Sequence, residues 1–219
     1  CDVYFYKAGN QLGIEPIANY ARQFGLGEKT GIALPSERSG LVPSSEWKRK
    51  VKGEPWYPGE TISISIGQGF LTVTPIQMAK MASIVATNGR VVQPRLFKAS
   101  RLRRTGNLKV EPESPFQQLS IPPNVFAHIK EGLAAVVTKG TAQRAKSDMV
   151  SIAGKTGTAQ VVALKPDGDK DKNKELPKEF RDHAWFVAFA PVEHPRIAVA
   201  VLVEHMGHGG SASAPLAKA

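Results

Sequence analysis

The residues best able to do chemistry lie together in Ala153-Gly154-Lys155-Thr156-Gly157-Thr158-Ala159-Gln160. The flanks, Met149 to Ile152 and Val161-Val162, are β-prone, so the octapeptide reads as a strand. Lysine, two threonines and a glycine suit a core strand poorly, because the glycine weakens the strand and packs nothing. Such a glycine instead lets a ligand or a second backbone lie against it. The period of two puts Lys155 and Gly157 on one face and Thr156 and Thr158 on the other. A ligand running along the strand edge meets a cation, hydroxyls and N–H groups, which suits an extended peptide ending in a carboxylate. Two plainer readings compete. Gly-Lys-Thr ends the phosphate-binding loop pattern, but that pattern needs a glycine five residues before Gly154, and position 149 is Met. The other is an ordinary edge strand with a solvated lysine.

The elements that must hold this strand follow from the chain's punctuation. Asp2 to Leu12 and Glu15 to Phe24 carry apolar residues at helical spacing, with Gly13 and Gly25 placed to end two short helices. Gly25 to Pro58 is rich in Gly, Pro, Ser and charge and reads as a long irregular connection, pinned by Trp47, Trp56 and Tyr57. The alternation in Ile62-Ser63-Ile64-Ser65-Ile66 predicts a short extended segment, closed by Gly67-Gln68-Gly69. Thr74-Pro75 opens a helix with Met78, Met81, Ala82 and Val85 inward, and Asn88-Gly89 ends it. Val91 to Phe97 reads as extended, and residues 98–121 as polar and exposed. Pro122-Pro123 opens a long helix with Val125, Phe126, Ile129, Leu133, Val136 and Val137 inward. Lys165 to Arg181, with six basic residues, five acidic residues and two prolines, predicts a mobile flap beside the Lys155 strand. Ala184–Ala190 and Ile197–Val203 are continuous apolar runs and predict fully buried central strands. His205 to Gly210 is a turn, and Ser211 to Ala219 begins a helix. The connections allow antiparallel pairing. The fold class is therefore α/β in the α+β sense: an antiparallel sheet flanked by helices on both faces.

Composition bounds the function. The chain has 219 residues, 42% hydrophobic and 22% charged, with a net charge of +10. That balance suits an anionic partner or surface. The basic clusters, Lys48-Arg49-Lys50-Lys52 and Arg101, Arg103 and Arg104, have no interleaved stacking aromatics, which argues against nucleic acid. Cys1 is the single cysteine, so no internal disulfide forms. No apolar run reaches the ~18 residues of a membrane span, and there is no signal peptide. His183, His205 and His208 lack tight ligand spacing and read as turn and strand-end hydrogen-bonding groups.

Taken together, these motifs resemble the penicillin-binding transpeptidases. Lys155-Thr156-Gly157-Thr158-Ala159-Gln160, followed by Trp185-Phe186-Val187-Ala188-Phe189-Ala190-Pro191, resembles their third motif and the strand after it. Gly67-Gln68-Gly69 with Thr74-Pro75-Ile76-Gln77-Met78-Ala79 is similar to the class B members, and Gly140-Thr141-Ala142 is a third resemblance to the family. Cys1-Asp2, Arg38-Ser39-Gly40, Glu46-Trp47-Lys48 and Pro55-Trp56-Tyr57 resemble the elongation-type subgroup, penicillin-binding protein 2. Asp2 falls at the last position of the second motif.

The resemblance implies the penicillin-binding transpeptidase and serine β-lactamase fold, cut at both ends. The chain would be the C-terminal part of one transpeptidase domain, helical over about 1–150 and carrying sheet strands and a helix start over about 151–219. It implies a serine-type D,D-transpeptidase that cross-links peptidoglycan stem peptides ending in D-Ala-D-Ala and is acylated by β-lactams. The serine would lie upstream, so the fragment alone would be inactive. By carry-over, Lys155 and Thr158 are catalytic, and Thr156, Gly157, Thr158 and Asp2 bind substrate. Cys1 reads either as a small buried residue or, as in some relatives, as a zinc ligand with upstream partners; no other cofactor is implied. Implied partners are a glycosyltransferase of the SEDS family and elongation-complex membrane proteins, at the periplasmic face of the inner membrane. Ser45-Glu46-Trp47-Lys48 is the only Ser-x-x-Lys match in the chain. It is read as a decoy, with Lys48 in a solvated basic cluster. The rival role for the same fold is a non-catalytic penicillin-recognising sensor.

Overall fold

A computed structural model describes residues 2–112, 114–161 and 177–218. In chain order the elements are α1 (Asp2–Leu12), α2 (Ile14–Gln23), α3 (Ser45–Lys52), α4 (Pro58–Ile64), α5 (Pro75–Ala86), β1 (Arg90–Val91), β2 (Ala99–Arg101), β3 (Leu108–Val110), β4 (Gln117–Gln118), α6 (Pro123–Thr138), β5 (Ala153–Ala159), β6 (His183–Ala190), β7 (Ile197–Val203) and α7 (Gly209–Lys218).

The centre is an antiparallel sheet in the order β5-β6-β7. Alternation along β6 divides its side chains between two helical layers. Phe186 and Ala188 pack with Val137, Ala142, Ala145 and Ala214, under the end of α6 and α7. Phe189 joins Ala153 on the other face against Val85 and Ala86 of α5. Phe186 and Phe189 are fully buried, and burial of such a ring contributes roughly 1.5–3 kcal/mol. Helices thus cover both faces, as the sequence predicts. The helix ends follow their punctuation too: Thr74 caps α5 by accepting from the Gln77 N–H, and Asn88 and Gly89 turn the chain at positive φ.

Several expectations need correction. Gly25 to Pro58 is not wholly irregular, because Ser45–Lys52 is a helix. Ser44 Oγ accepts from the Trp47 N–H at its start, and Gly53 closes it at φ 71°. Ile62 to Ile66 is not extended. Pro58 opens α4 and Glu60 reaches back to accept from the Tyr57 N–H, so a helix forms with Thr61 and Ile64 buried. Ile62 and Ile66, one helical turn apart, stay partly exposed. Residues 98–121 contain the hairpin β2–β3, and from Val91 to Phe97 only Val91 lies in a ladder. Val125 and Ile129 of α6 are exposed rather than inward. The β7 strand is only half-buried, because among the described residues it forms the sheet edge and only β6 has neighbours on both sides. Most of the expected Lys165–Arg181 flap lies outside the described residues; Lys178–Phe180 forms a 3-10 turn.

Lys48 departs furthest from its reading. It is buried, not solvated, at 2% exposure. Its ammonium donates to Glu60, lies 3.5 Å from Glu54 and sits 4.1 Å from the centre of the Tyr57 ring. Tryptophans hold the same region: Trp47 packs on Phe70, and Trp56 Nε1 donates to Thr61 Oγ1 at 2.8 Å.

Candidate active site

Among the described residues the β5 strand pairs with β6 along one edge only. In an antiparallel ladder a residue's N–H and C=O point to the same side, and the side alternates. The carbonyls of Gly157 and Trp185, which are register partners, both press on Gly209: a Cβ there would stand 2.0 Å from the Trp185 oxygen and 2.7 Å from the Gly157 oxygen. Both carbonyls therefore lie between β5 and β6. The N–H and C=O of Thr156 and Thr158 then face the open edge.

Side chains already reach that edge. Gln68 Nε2 donates to the Thr158 carbonyl at 2.8 Å, across 90 positions of sequence. Lys155 Nζ donates to the Thr156 carbonyl, also at 2.8 Å. The hydroxyls of Thr156 and Thr141 are 2.8 Å apart. Lys155 is exposed, while Thr156, Gly157 and Thr158 are half-buried.

Local structure explains these placements. Gln68 follows α4 and is bracketed by Gly67 and Gly69, at φ 78° and 77°. Side-chain crowding does not require glycine at Gly67, where nothing lies within 4 Å of an added Cβ. The left-handed backbone does. Thr141 lies between α6 and the 3-10 turn at Gln143–Ala145. Gly210 of α7 packs on its carbonyl. The tight approach of α7 through Gly209 and Gly210 thus braces Thr141, Thr156 and Gly157 from one side.

The structure brings Lys155, Thr156, Gly157 and Thr158 together by their position on β5. Asp2 stands apart: it is exposed in the first turn of α1, with no hydrogen bond or ion pair to β5 among the described residues. Its tie to the site is indirect, because α1 packs on α4 and Gln68 follows α4. Gln68 and Thr141 were legible as motif members but carried no sequence signal for these partners. Cys1 lies outside the described residues. Among those described, no three His, Cys, Asp or Glu side chains converge as metal ligands. His205 donates its N–H to His183 Nδ1 at 3.0 Å at the head of β6. Ser45 donates its N–H to Glu15 and begins α3. A cleft of about 390 Å³ is lined by Arg22, Glu28, Lys29, Lys80 and Gln117, and no residue of β5 borders it. Among the described residues no helix is long and apolar enough to cross a membrane.

The model for the penicillin binding protein transpeptidase domain matches residues 1–219. The peptidoglycan D,D-transpeptidase MrdA of Acinetobacter baumannii is 40% identical over 218 residues, which is 100% of this chain and 32% of the relative. The chain spans about a third of the length of the curated relatives it matches. The crystal structure of Pseudomonas aeruginosa PBP2 in complex with WCK 5153 has a TM-score of 0.79 at 36% identity, covering 99% of this chain and 43% of that one. PBP2 in its complex with MreC from Helicobacter pylori has a TM-score of 0.80 at 34% identity, covering 98% and 36%. The chain belongs to the penicillin-binding protein transpeptidase family, and the members it resembles in sequence and fold include those of the penicillin-binding protein 2 type.

Proposed function

We propose that the protein carrying this chain is a peptidoglycan D,D-transpeptidase. The observation that supports this most is the open edge of β5, where the Thr158 N–H points outward beside the Thr156–Thr141 hydroxyl pair and the Lys155 ammonium. Acyl transfer to a serine needs a donor aimed at the developing oxyanion. The Thr158 N–H fills that role; loss of one such donor costs about 3–4 kcal/mol of barrier. Two hydroxyls that share one hydrogen bond keep one further hydrogen to donate, so the Thr156–Thr141 pair still grips a terminal carboxylate. Thr158 Oγ1 adds a second donor, and Lys155 keeps two N–H donors and its charge.

In this reading the serine oxygen attacks the penultimate D-Ala carbonyl, the ester forms, and D-Ala leaves with the proton. An amine of a second stem peptide then attacks the ester, forms the cross-link amide and returns the serine. The serine comes from sequence outside these residues. Gly157, with no side chain, keeps that face of β5 low, where an added Cβ would lie 3.2 Å from the Trp185 Cβ. Asp2 assists through the α1–α4 packing that sets Gln68. Partners in this reading are a SEDS-family glycosyltransferase and elongation-complex membrane proteins at the periplasmic face of the inner membrane, consistent with the MreC complex of the Helicobacter pylori neighbour.

The test is turnover by the full-length protein on uncross-linked glycan carrying D-Ala-D-Ala stems. Penicillin-sensitive release of D-Ala with formation of peptide dimers is expected. A penicillin adduct with no dimers under any condition would instead assign the protein to the sensor role.

A further inference from the structure

We infer that the β2–β3 hairpin is a docking site for a partner protein, which adds an extended segment of alternating acidic and apolar residues as a third strand along β3. This stands independently of the transpeptidase reading.

The backbone shows which edge is free. Leu102 donates its N–H to the Asn107 carbonyl at 2.9 Å, and Glu111 donates its N–H to the Lys98 carbonyl at 3.0 Å. These pairs, and Ser100 with Lys109 between them, therefore exchange the ladder bonds. The N–H and C=O of Leu108 and Val110 point the other way, along the outer edge of β3. Among the described residues no further strand pairs with that edge. The two strands pack mainly on each other, and a lone two-stranded hairpin is marginal in water. An extended peptide joining the free edge extends the ladder and adds main-chain hydrogen bonds.

The side chains define what that peptide must carry. The register and the period of two put Leu108 and Val110 on one face, and Lys109 with Ser100 on the other. Leu108 and Val110 are each more than half exposed, as are Phe97 and Leu102 nearby. Apolar groups clustered on a surface in this way mark an interaction site. Lys109 is 74% exposed, and its ion pair with Glu111, 3.5 Å away, is of the solvated kind that contributes little. A strand paired with β3 therefore sets apolar residues opposite Leu108 and Val110 and an acidic one opposite Lys109.

Charge favours the same partner. Between residues 95 and 111, the cations Arg95, Lys98, Arg101, Arg103, Arg104 and Lys109 stand against one acid, Glu111. A second copy of this hairpin carries the same charge and is repelled. A lipid surface cannot satisfy the outward N–H and C=O groups of β3. The turn that would enter it has Leu102 as its one large apolar side chain, beside Arg103 and Arg104.

The test measures binding of the full-length protein to a labelled, end-blocked peptide of alternating glutamate and valine. Two further peptides are N-methylated at the valines or at the glutamates. Because Leu108 and Val110 point their N–H and C=O outward, the valines opposite them make the main-chain bonds. Methylation at the valines is expected to weaken binding about tenfold or more, and methylation at the glutamates to leave it near the parent value. Leu108→Thr with Val110→Thr, and Lys109→Glu alone, should each weaken the parent peptide about tenfold, with thermal midpoints at the wild-type value. Binding should also weaken as salt is added. A wild type that does not bind the parent peptide, or binds both methylated peptides equally, overturns the inference. Tighter binding to phosphatidylglycerol vesicles than to the peptide, lost in the Leu108→Thr, Val110→Thr protein, overturns it in favour of a lipid surface.

Discussion

Lys48 donates to one oxygen of Glu60 from a buried site, while the other oxygen of Glu60 accepts from the Tyr57 N–H at 2.9 Å. One carboxylate thus joins α3 to the first turn of α4. Burial alone pulls the Lys48 ammonium down, but the hydrogen bonds and charges of Glu60 and Glu54 outweigh it and hold the group above its ordinary 10.5. Burial likewise pushes Glu60 up, and the Lys48 hydrogen bond, the Tyr57 N–H and the lysine charge together bring it below its ordinary 4.5.

Removing Lys48 takes the cation from a half-buried Glu60, and removing the Glu60 charge leaves the buried ammonium with only Glu54, 3.5 Å away. Lys48→Met and Glu60→Gln are each expected to lower the thermal midpoint by several degrees, and Lys48→Met with Glu60→Leu to recover most of that loss. The pH dependence follows from the shifts. Glu60 contributes stability that is present above pH 4.5 and lost as pH falls through its lowered value. Lys48 contributes stability that is present below pH 10.5 and lost as pH rises through its raised value. The midpoint difference between wild type and Glu60→Gln, followed by scanning calorimetry, should hold between those limits and shrink in acid. A difference independent of pH down to acid denaturation would remove the ion pair from the account.

Thr141→Val deletes the hydroxyl that pairs with Thr156 and keeps the shape. Because the pair is exposed, folding should hold, while acylation by a labelled penicillin falls about two- to tenfold, the worth of one net hydrogen bond. Thr141→Ser should restore it. Equal rates in all three proteins would mean that Thr156 is oriented without Thr141.

Lys155→Ala should abolish acylation in the full-length protein and leave the thermal midpoint nearly unchanged. The side chain is exposed, and its one hydrogen bond among the described residues runs to the adjacent residue's carbonyl. Normal acylation rates would take Lys155 out of the mechanism, and a large loss of stability would make it structural.

Much of this frame was legible in the sequence where local chemistry decides it. Gly13 and Gly25 end α1 and α2, Thr74-Pro75 starts α5, and the apolar run of β6 reads directly as a buried strand. Two helices were hidden. The octapeptide of α3 is so charged that its apolar face is one tryptophan and one valine, and its signal lay in the caps Ser44 and Gly53. In α4 the Ile-Ser alternation mimics a strand, and Pro58 with Glu60 settles it as helix. Lys48 looked solvated because its neighbours are basic, whereas its acidic partner Glu60 is 12 positions away. The β5 motif was legible as chemistry. Its partners Gln68 and Thr141 were not, since tertiary packing alone brings them to Thr158 and Thr156.

The most direct test of the central claim maps the acylated residue. The full-length protein, treated with a penicillin and digested, is analysed by mass spectrometry beside its Ser45→Ala variant. The only Ser-x-x-Lys match here pairs Ser45 with a lysine whose proton is held by two carboxylates, so Lys48 cannot serve as a base near neutral pH. The account predicts one adduct, on a serine outside these 219 residues, with Ser45→Ala labelled at the wild-type rate. An adduct on Ser45, or on any other serine of this chain, would contradict it.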